Sequence, residues 1–204
     1  MPSTPLISPY TYFQTHDNPL AIGLLVFAVS LVGTILLVVA NIQLVLAQTE
    51  DLPSEAVQVI NSVLGMTVIA LLFVAVFSLL LVAAIMHYGS GGSETDGTLL
   101  SAVGVAGWSY APDLLALPID YLLTRYYIRD MTFDGSDAQT FAAELEALDG
   151  TLGLLDGLLA LGIVVWSVYI LAKGTAGTHD LSVEDTIVPA LVIGIGSLLF
   201  RLFL

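Results

Sequence analysis

Long apolar runs separated by short polar turns set the rhythm of this chain. The first run opens near Pro19, a residue suited to the first turn of a helix, and reads "LAIGLLVFAVSLVGTILLVVANIQLVLA" to about Ala47. "QTEDLPSE" is a polar turn in which Pro53 opens the next helix, amphipathic over its first turns and lipid-like from about Val63 to Tyr88. "GSGGSETDG" closes that helix as a flexible turn. Runs reaching the roughly 20 residues that cross about 30 Å of hydrocarbon recur along the chain. The pattern predicts an all-α fold, a polytopic integral membrane bundle with five transmembrane helices. The spans fall at about 19–47, 60–88, 98–123, 150–172 and 186–204, within one membrane domain, 19–204.

Two segments lie outside that rhythm. Residues 1–18 carry Pro2, Pro5 and Pro9 with an aromatic cluster, Tyr10, Tyr12 and Phe13. Prolines make poor helix interiors and tyrosines suit the headgroup boundary, so an interfacial segment or a disordered tail is expected. No basic n-region or small-residue cleavage site marks a secretory signal, so these residues are read as mature sequence. Only the connection 124–151 is long. In it, Ser136 followed by Gln139 has the spacing of a capping box, and Phe141, Leu145, Leu148, Leu152 and Leu155 recur at helical spacing. The fourth helix is therefore expected to begin near Asp137, with an amphipathic extension, 137–150, outside the membrane.

Composition agrees with the class. The chain is 57% hydrophobic and 11% charged, with mean hydropathy +0.94, where a soluble domain is about a quarter charged. Eighteen acids face four basic residues, Arg125, Arg129, Lys173 and Arg201, for a net charge of −14. That balance excludes a basic face for nucleic acid and fits a surface adapted to high salt, where self-repulsion is screened. Absence of cysteine excludes disulfides and thiolate chemistry. An odd number of spans puts the termini on opposite sides. Three of the four basic residues then lie with the C-terminus, which the positive-inside rule would make cytoplasmic.

Candidate chemistry is sparse. Asp113, beside Pro112, lies about two-thirds along the third span, Asp120 near its end, and Asp156 one to two turns into the fourth. An ionised acid at mid-bilayer costs on the order of 2.5–3.5 kcal/mol, so such residues face protein or water; they are read as an ion or proton site, or as acids paired across helices. Arg201 lies at the same membrane face as Asp156 and Asp149, and a pairing with one of them is expected. The fourth helix carries a stripe of Asp149, Gly153, Asp156, Gly157 and Ala160 at steps of three and four, in which Gly153 and Gly157 make a GxxxG. The third offers Gly104, Gly107 and Ala111 at similar spacing. Such stripes admit a close neighbour in lipid, so these two are expected to pack on each other inside the chain, with a homodimer seam as the alternative. Pro112 and Pro118 are expected to bend the third helix within the bundle.

His16, His87 and His179 show no metal-ligating spacing, so no metal and no cofactor is expected. His87 beside Tyr88 reads as interfacial. Trp108, Tyr110, Trp166 and Tyr169 read as interface or packing aromatics. No G-x-S-x-G elbow occurs, and the glycine-rich turn lacks the lysine of a phosphate loop.

A helix ending in His87 and an aromatic, the turn Gly91-Gly92-Ser93, and then Gly104, Gly107, Tyr110 and Pro112 resemble the Yip1 family. "SPYTYF", residues 8–13, is similar to the Pro-x-x-Phe-Phe element that precedes the first span in prokaryotic members. The resemblance implies five spans, a cytosolic N-terminus, opposite to the basic-residue count, and a role among membrane partners. Eukaryotic members associate with Rab-type GTPases. This chain lacks their Asp-Leu-Tyr-Gly-Pro element and long N-terminal domain, so that partner is not carried over. The expected function is a non-enzymatic scaffold or organiser in the cell membrane, in contact with lipid and with itself or other membrane proteins. The alternative is a small transporter or channel subunit with Asp113 as its ion or proton site.

Overall fold

The computed structural model describes residues 4–16 and 18–203, with the side chains of residues 138, 149, 151, 152 and 201–203 outside the description. Among the described residues seven α-helices follow one another: α1 (Pro9–Thr15), α2 (Leu20–Ala47), α3 (Ser54–Gly89), α4 (Leu99–Trp108), α5 (Ala111–Ile128), α6 (Ala138–His179) and α7 (Val183–Phe203). Two two-residue strands, β1 (Thr49–Glu50) and β2 (Phe133–Asp134), pair in parallel. They tie the α2–α3 turn to the α5–α6 connection.

Among the described residues four helices are long and apolar enough to cross a membrane: α2, α3, the segment Gly153–His179 of α6, and Val183–Phe200 of α7. Their apolar side chains are largely exposed, including Phe73 at 75%, Phe77 at 66% and Leu154 at 76%. Apolar surface on this scale requires lipid around it.

The predicted third span, 98–123, is not one helix. Thr98 caps α4 through a reciprocal bond with Ser101, and α4 ends at Trp108. Pro112 enters the first turn of α5 and has no N–H for the carbonyl one turn back. The chain therefore turns at Ser109 and Tyr110. Both halves nonetheless follow α2 in order: Gly104 and Gly107 meet Gly23, the Tyr110 ring meets Phe27 edge-on at 5.1 Å, Leu117 packs at Gly33, and Ile128 clusters with Leu44 and Val45. Pro118 lies exposed within a continuous α5 rather than bending a helix inside the bundle.

The N-terminal prolines do not prevent a helix. Pro9 starts α1 where its missing N–H is harmless, and Tyr12 and Phe13 are buried. A Cβ at Gly174 would press on the Phe13 ring, and one at Gly177 would collide with the Tyr10 carbonyl, so α1 lies flat against α6. Trp166 Nε1 donates to the Leu6 carbonyl at 3.0 Å and Tyr169 Oη to that of Ile7 at 2.8 Å. These aromatics strap the N-terminal segment down.

At the other end, Phe133, Ile128 and Leu148 are buried in a second core, with Phe141 and Leu145 packed against them. α6 starts at Ala138, and its cap is Asp137 rather than Ser136. The Asp137 carboxylate accepts from the Thr140 N–H at 2.9 Å and its hydroxyl at 2.8 Å. Ser136 instead donates N–H and O–H to Asp134.

Candidate functional site

Breaking a helix at membrane depth frees backbone carbonyls that lipid cannot satisfy. Ser167, on the facing turn of α6, meets this need: its hydroxyl donates to the Ser109 carbonyl at 2.7 Å. The Ser109 hydroxyl turns back onto the Ala106 carbonyl at 2.7 Å. Around this repaired break α3, α6 and α7 enclose a cavity of about 520 Å³. Asp113 and Tyr110 line it with the hydroxyls of Ser78, Ser109, Ser167 and Ser197. The remaining wall is aliphatic, with Val164, Leu171 and Ile193 prominent. Carboxylate, phenol and hydroxyls thus converge in an otherwise apolar setting, the pattern of a small-molecule pocket. Hydropathy pointed to Asp113 and Pro112 but not to the serines. Each of Ser78, Ser167 and Ser197 stands alone in an apolar run, and that isolation was the available signal.

The two small-residue stripes do not meet. A Cβ added at Gly23 would drive into the backbone of Gly104 and one at Gly107 into that of Gly23, and one at Gly104 would lie 2.8 Å from the Pro19 carbonyl carbon. The α4 stripe is therefore spent on α2. α4 reaches α6 elsewhere, through Val105 at Gly174. Gly153 and Gly157 have nothing within 4 Å among the described residues, and Asp156 on the same face is exposed. Helical periodicity reports which face is small, not which helix takes it, and α2 supplied the matching glycine. The expected pairing of Arg201 with Asp156 or Asp149 involves the side chains of Arg201 and Asp149, which lie outside the described residues. Asp120 sits in the last half of α5.

His87 is not an interfacial residue. It is 7% exposed, and its Nδ1 lies 3.0 Å from Nε2 of His179, itself 1% exposed. The pair joins the last turns of α3 and α6, with Gly97 against the His179 ring, where a Cβ would collide. The Thr178 hydroxyl lies 2.8 Å from His179 Nδ1 and 3.2 Å from the Thr175 carbonyl. Donation to that carbonyl leaves the hydroxyl to accept from Nδ1–H, so His179 presents a bare Nε2 to the His87 Nδ1–H. Two histidines 92 residues apart carry no local spacing signal; only the shared membrane side of their helix ends relates them. His16 stacks on Tyr12 instead, centroids 4.0 Å apart. Among the described residues no group of three His, Cys, Asp or Glu could hold a metal.

Taken together, apolar exposed helices, a proline-broken helix pair and a largely apolar cavity with a few polar groups define an all-helical membrane protein. A family model, the Yip1 domain, matches residues 5–203, nearly the whole chain, and the chain belongs to the Yip1 family. No curated protein and no solved structure matches it.

Proposed function

We propose that this protein is a non-enzymatic organiser of partners in the cell membrane, anchored by five spans of which α4 and α5 together form the third. The observation that carries the role is the open face of α6. Gly153 and Gly157 are spaced for a close helix crossing, are flanked by exposed Leu154 and Leu158, and have no neighbour within 4 Å among the described residues. In lipid, small residues of this spacing let a second helix approach, because packing rather than hydrophobicity drives association there. The ordered contacts of α4 and α5 along α2 support the five-span reading, and family membership supports a partner-dependent role and a cytoplasmic N-terminus.

Crosslinking and affinity capture from native membranes test this reading. The intact chain captures a membrane protein, either another copy or a different chain, and Gly157→Leu loses it while remaining folded. Equal capture by both would overturn the role. Orientation is testable in this cysteine-free chain with Thr4→Cys and Ser136→Cys, whose labelling from opposite sides is expected.

A second reading, a small transporter or channel subunit, is favoured by one observation: Asp113 lies beside a helix break and lines the cavity. Asp113→Asn would then abolish a sodium- or proton-coupled flux in proteoliposomes. A flux unchanged by the substitution, or absent from the wild type, removes this reading.

A further inference from the structure

The bonds that strap the N-terminal segment to α6 also wall a second recess, of about 600 Å³. It lies between the segment 7–11, the turn 169–173 of α6 and the α6–α7 connection at 181–183. Lys173, the chain's one lysine, directly follows the apolar run that ends at Ala172, so the recess stands at the membrane boundary. Its side chain is half-buried, with Nζ 5.2 Å from the centre of the Tyr169 ring. Tyr169 is in turn fixed by its bond to the Ile7 carbonyl. The cation is thereby held in the recess rather than left to move through solvent.

Polar groups in this recess are unspent. Elsewhere hydroxyls are engaged, Ser167 on the Ser109 carbonyl and Thr186 on that of Ala172. Ser8, Tyr10 and Thr11 line the recess, and their hydroxyls have no hydrogen-bond partner among the described residues. Ser8 even stands at the N-cap of α1 without capping it. No described acid pairs with Lys173. Asp180, Glu184 and Asp185 are exposed in and after the adjoining turn but outside the lining, and Asp185 already accepts from Ser182. One held cation with three hydroxyl donors suits an anion rich in acceptor oxygens, and phosphate has that form.

The surface below indicates what else the ligand carries. On the same side of α6, two to three turns deeper, stand Trp166, Val165 and Gly162. Val165 is 61% exposed, and Gly162 has nothing within 4 Å among the described residues. Exposed Ile7 continues this apolar surface on the facing wall. An acyl chain laid along it reaches the hydrocarbon while its head stays beside Lys173, as basic pockets between spans hold lipid heads.

We infer that this recess binds the phosphate head of a membrane phospholipid. Lys173 counters its charge, the hydroxyls of Ser8, Tyr10 and Thr11 donate to its oxygens, and a chain runs over Gly162 and Val165. The site uses neither Gly153 nor Gly157 and needs no protein partner, so it and the organiser role fail or stand separately.

The test titrates the full-length protein in detergent with dioleoylphosphatidylglycerol, dioleoylglycerol and oleic acid, read by native mass spectrometry. The phospholipid is expected to bind about tenfold more tightly than the diacylglycerol of the same chains or the fatty acid. Lys173→Gln should lower it to the level of the diacylglycerol, and Lys173→Arg should retain it. Ser8→Ala and Thr11→Ala should each weaken it about threefold with thermal unfolding unchanged, and they serve if Lys173→Gln fails to fold. Phosphatidylglycerol with a diazirine high in one chain, irradiated in nanodiscs, should label residues 7–11 and 162–173. Equal binding of phospholipid and diacylglycerol, or of phospholipid and fatty acid, overturns the proposal. So does phospholipid binding that survives Lys173→Gln, or label that concentrates at Arg125 and Arg129 instead. Displacement of the lipid by millimolar inorganic phosphate would assign the site to the free anion and overturn the lipid reading.

Discussion

Two glycine stripes of similar spacing meet opposite fates in this molecule. Gly104 and Gly107 on α4 are closed over by the backbone of the second helix and its start, at Pro19 and Gly23, whereas Gly153 and Gly157 on α6 face no described residue within 4 Å. Both stripes permit close approach in lipid. The first serves the fold, because its complement lies on the preceding span of the same chain. The second meets no complement among the described residues, and it is the face that the proposed partner role would use. Spacing therefore licenses an interface, and only the inventory of partners tells whether it is internal.

The largest expected effect sharpens the closed half. Gly104→Leu or Gly23→Leu sets a branched side chain against backbone that cannot yield, and should cost at least about 3 kcal/mol. Thermal unfolding and monodispersity in detergent would show it. Gly157→Leu, in open space, should change stability by less than about 1 kcal/mol under the same assay. Similar losses at both positions would break the distinction.

Next in size is the repair of the broken helix. Ser167→Ala leaves the buried Ser109 carbonyl without this donor, and should cost about 1–2 kcal/mol. Hydrogen exchange at residues 110–114 should quicken more than at α2. An unchanged exchange pattern would mean the break satisfies itself.

How much of this was legible beforehand divides along physical lines. Hydropathy and length place the apolar helices, since burial in lipid constrains every residue of a span. Pro112 announced the break, because proline removes a donor wherever it sits. Less legible was α1. Three prolines suggested a tail, yet Pro9 at a helix start costs nothing, and the aromatics that read as interfacial are buried against α6. Ser136 offered the spacing of a cap, but Asp137 beside it competes for the same role and wins with two bonds. The histidine pair and the serine-lined cavity depend on which helices become neighbours. That information lies in the topology and in no local pattern.

The histidine pair gives a third and smaller effect. His87→Phe keeps an aromatic ring, though a larger one, and removes the N–H that reaches His179, leaving a buried acceptor without this donor, at about 1 kcal/mol. Faster exchange of residues 176–181 in the variant would register it. No change there would remove the pair from the forces holding α3 to α6.

Smallest is a pH effect at the start of α6. Bonds from the Thr140 hydroxyl and N–H hold the exposed Asp137 carboxyl below its usual range. A carboxylate whose folded pKa is lowered contributes stability in full above its unfolded value, about 3.9, and loses it as pH falls through the lowered folded value. Exchange of the Thr140 and Phe141 amides, corrected for intrinsic rates, should therefore rise between about pH 4 and pH 2. In Asp137→Asn, whose amide oxygen caps without titrating, that rise should disappear. A rise that persists in Asp137→Asn would assign it to other carboxyls.

The distinction between the two stripes is tested most directly by single cysteines in this cysteine-free chain. Gly157→Cys on α6 and Gly196→Cys on α7, both at glycines with open surroundings, would each carry a maleimide photocrosslinker in native membranes. Gly157→Cys should give a discrete higher-mass protein adduct and Gly196→Cys only lipid adducts. Equal protein adducts from both positions, or none from Gly157→Cys, would contradict the assignment of the α6 face to a partner.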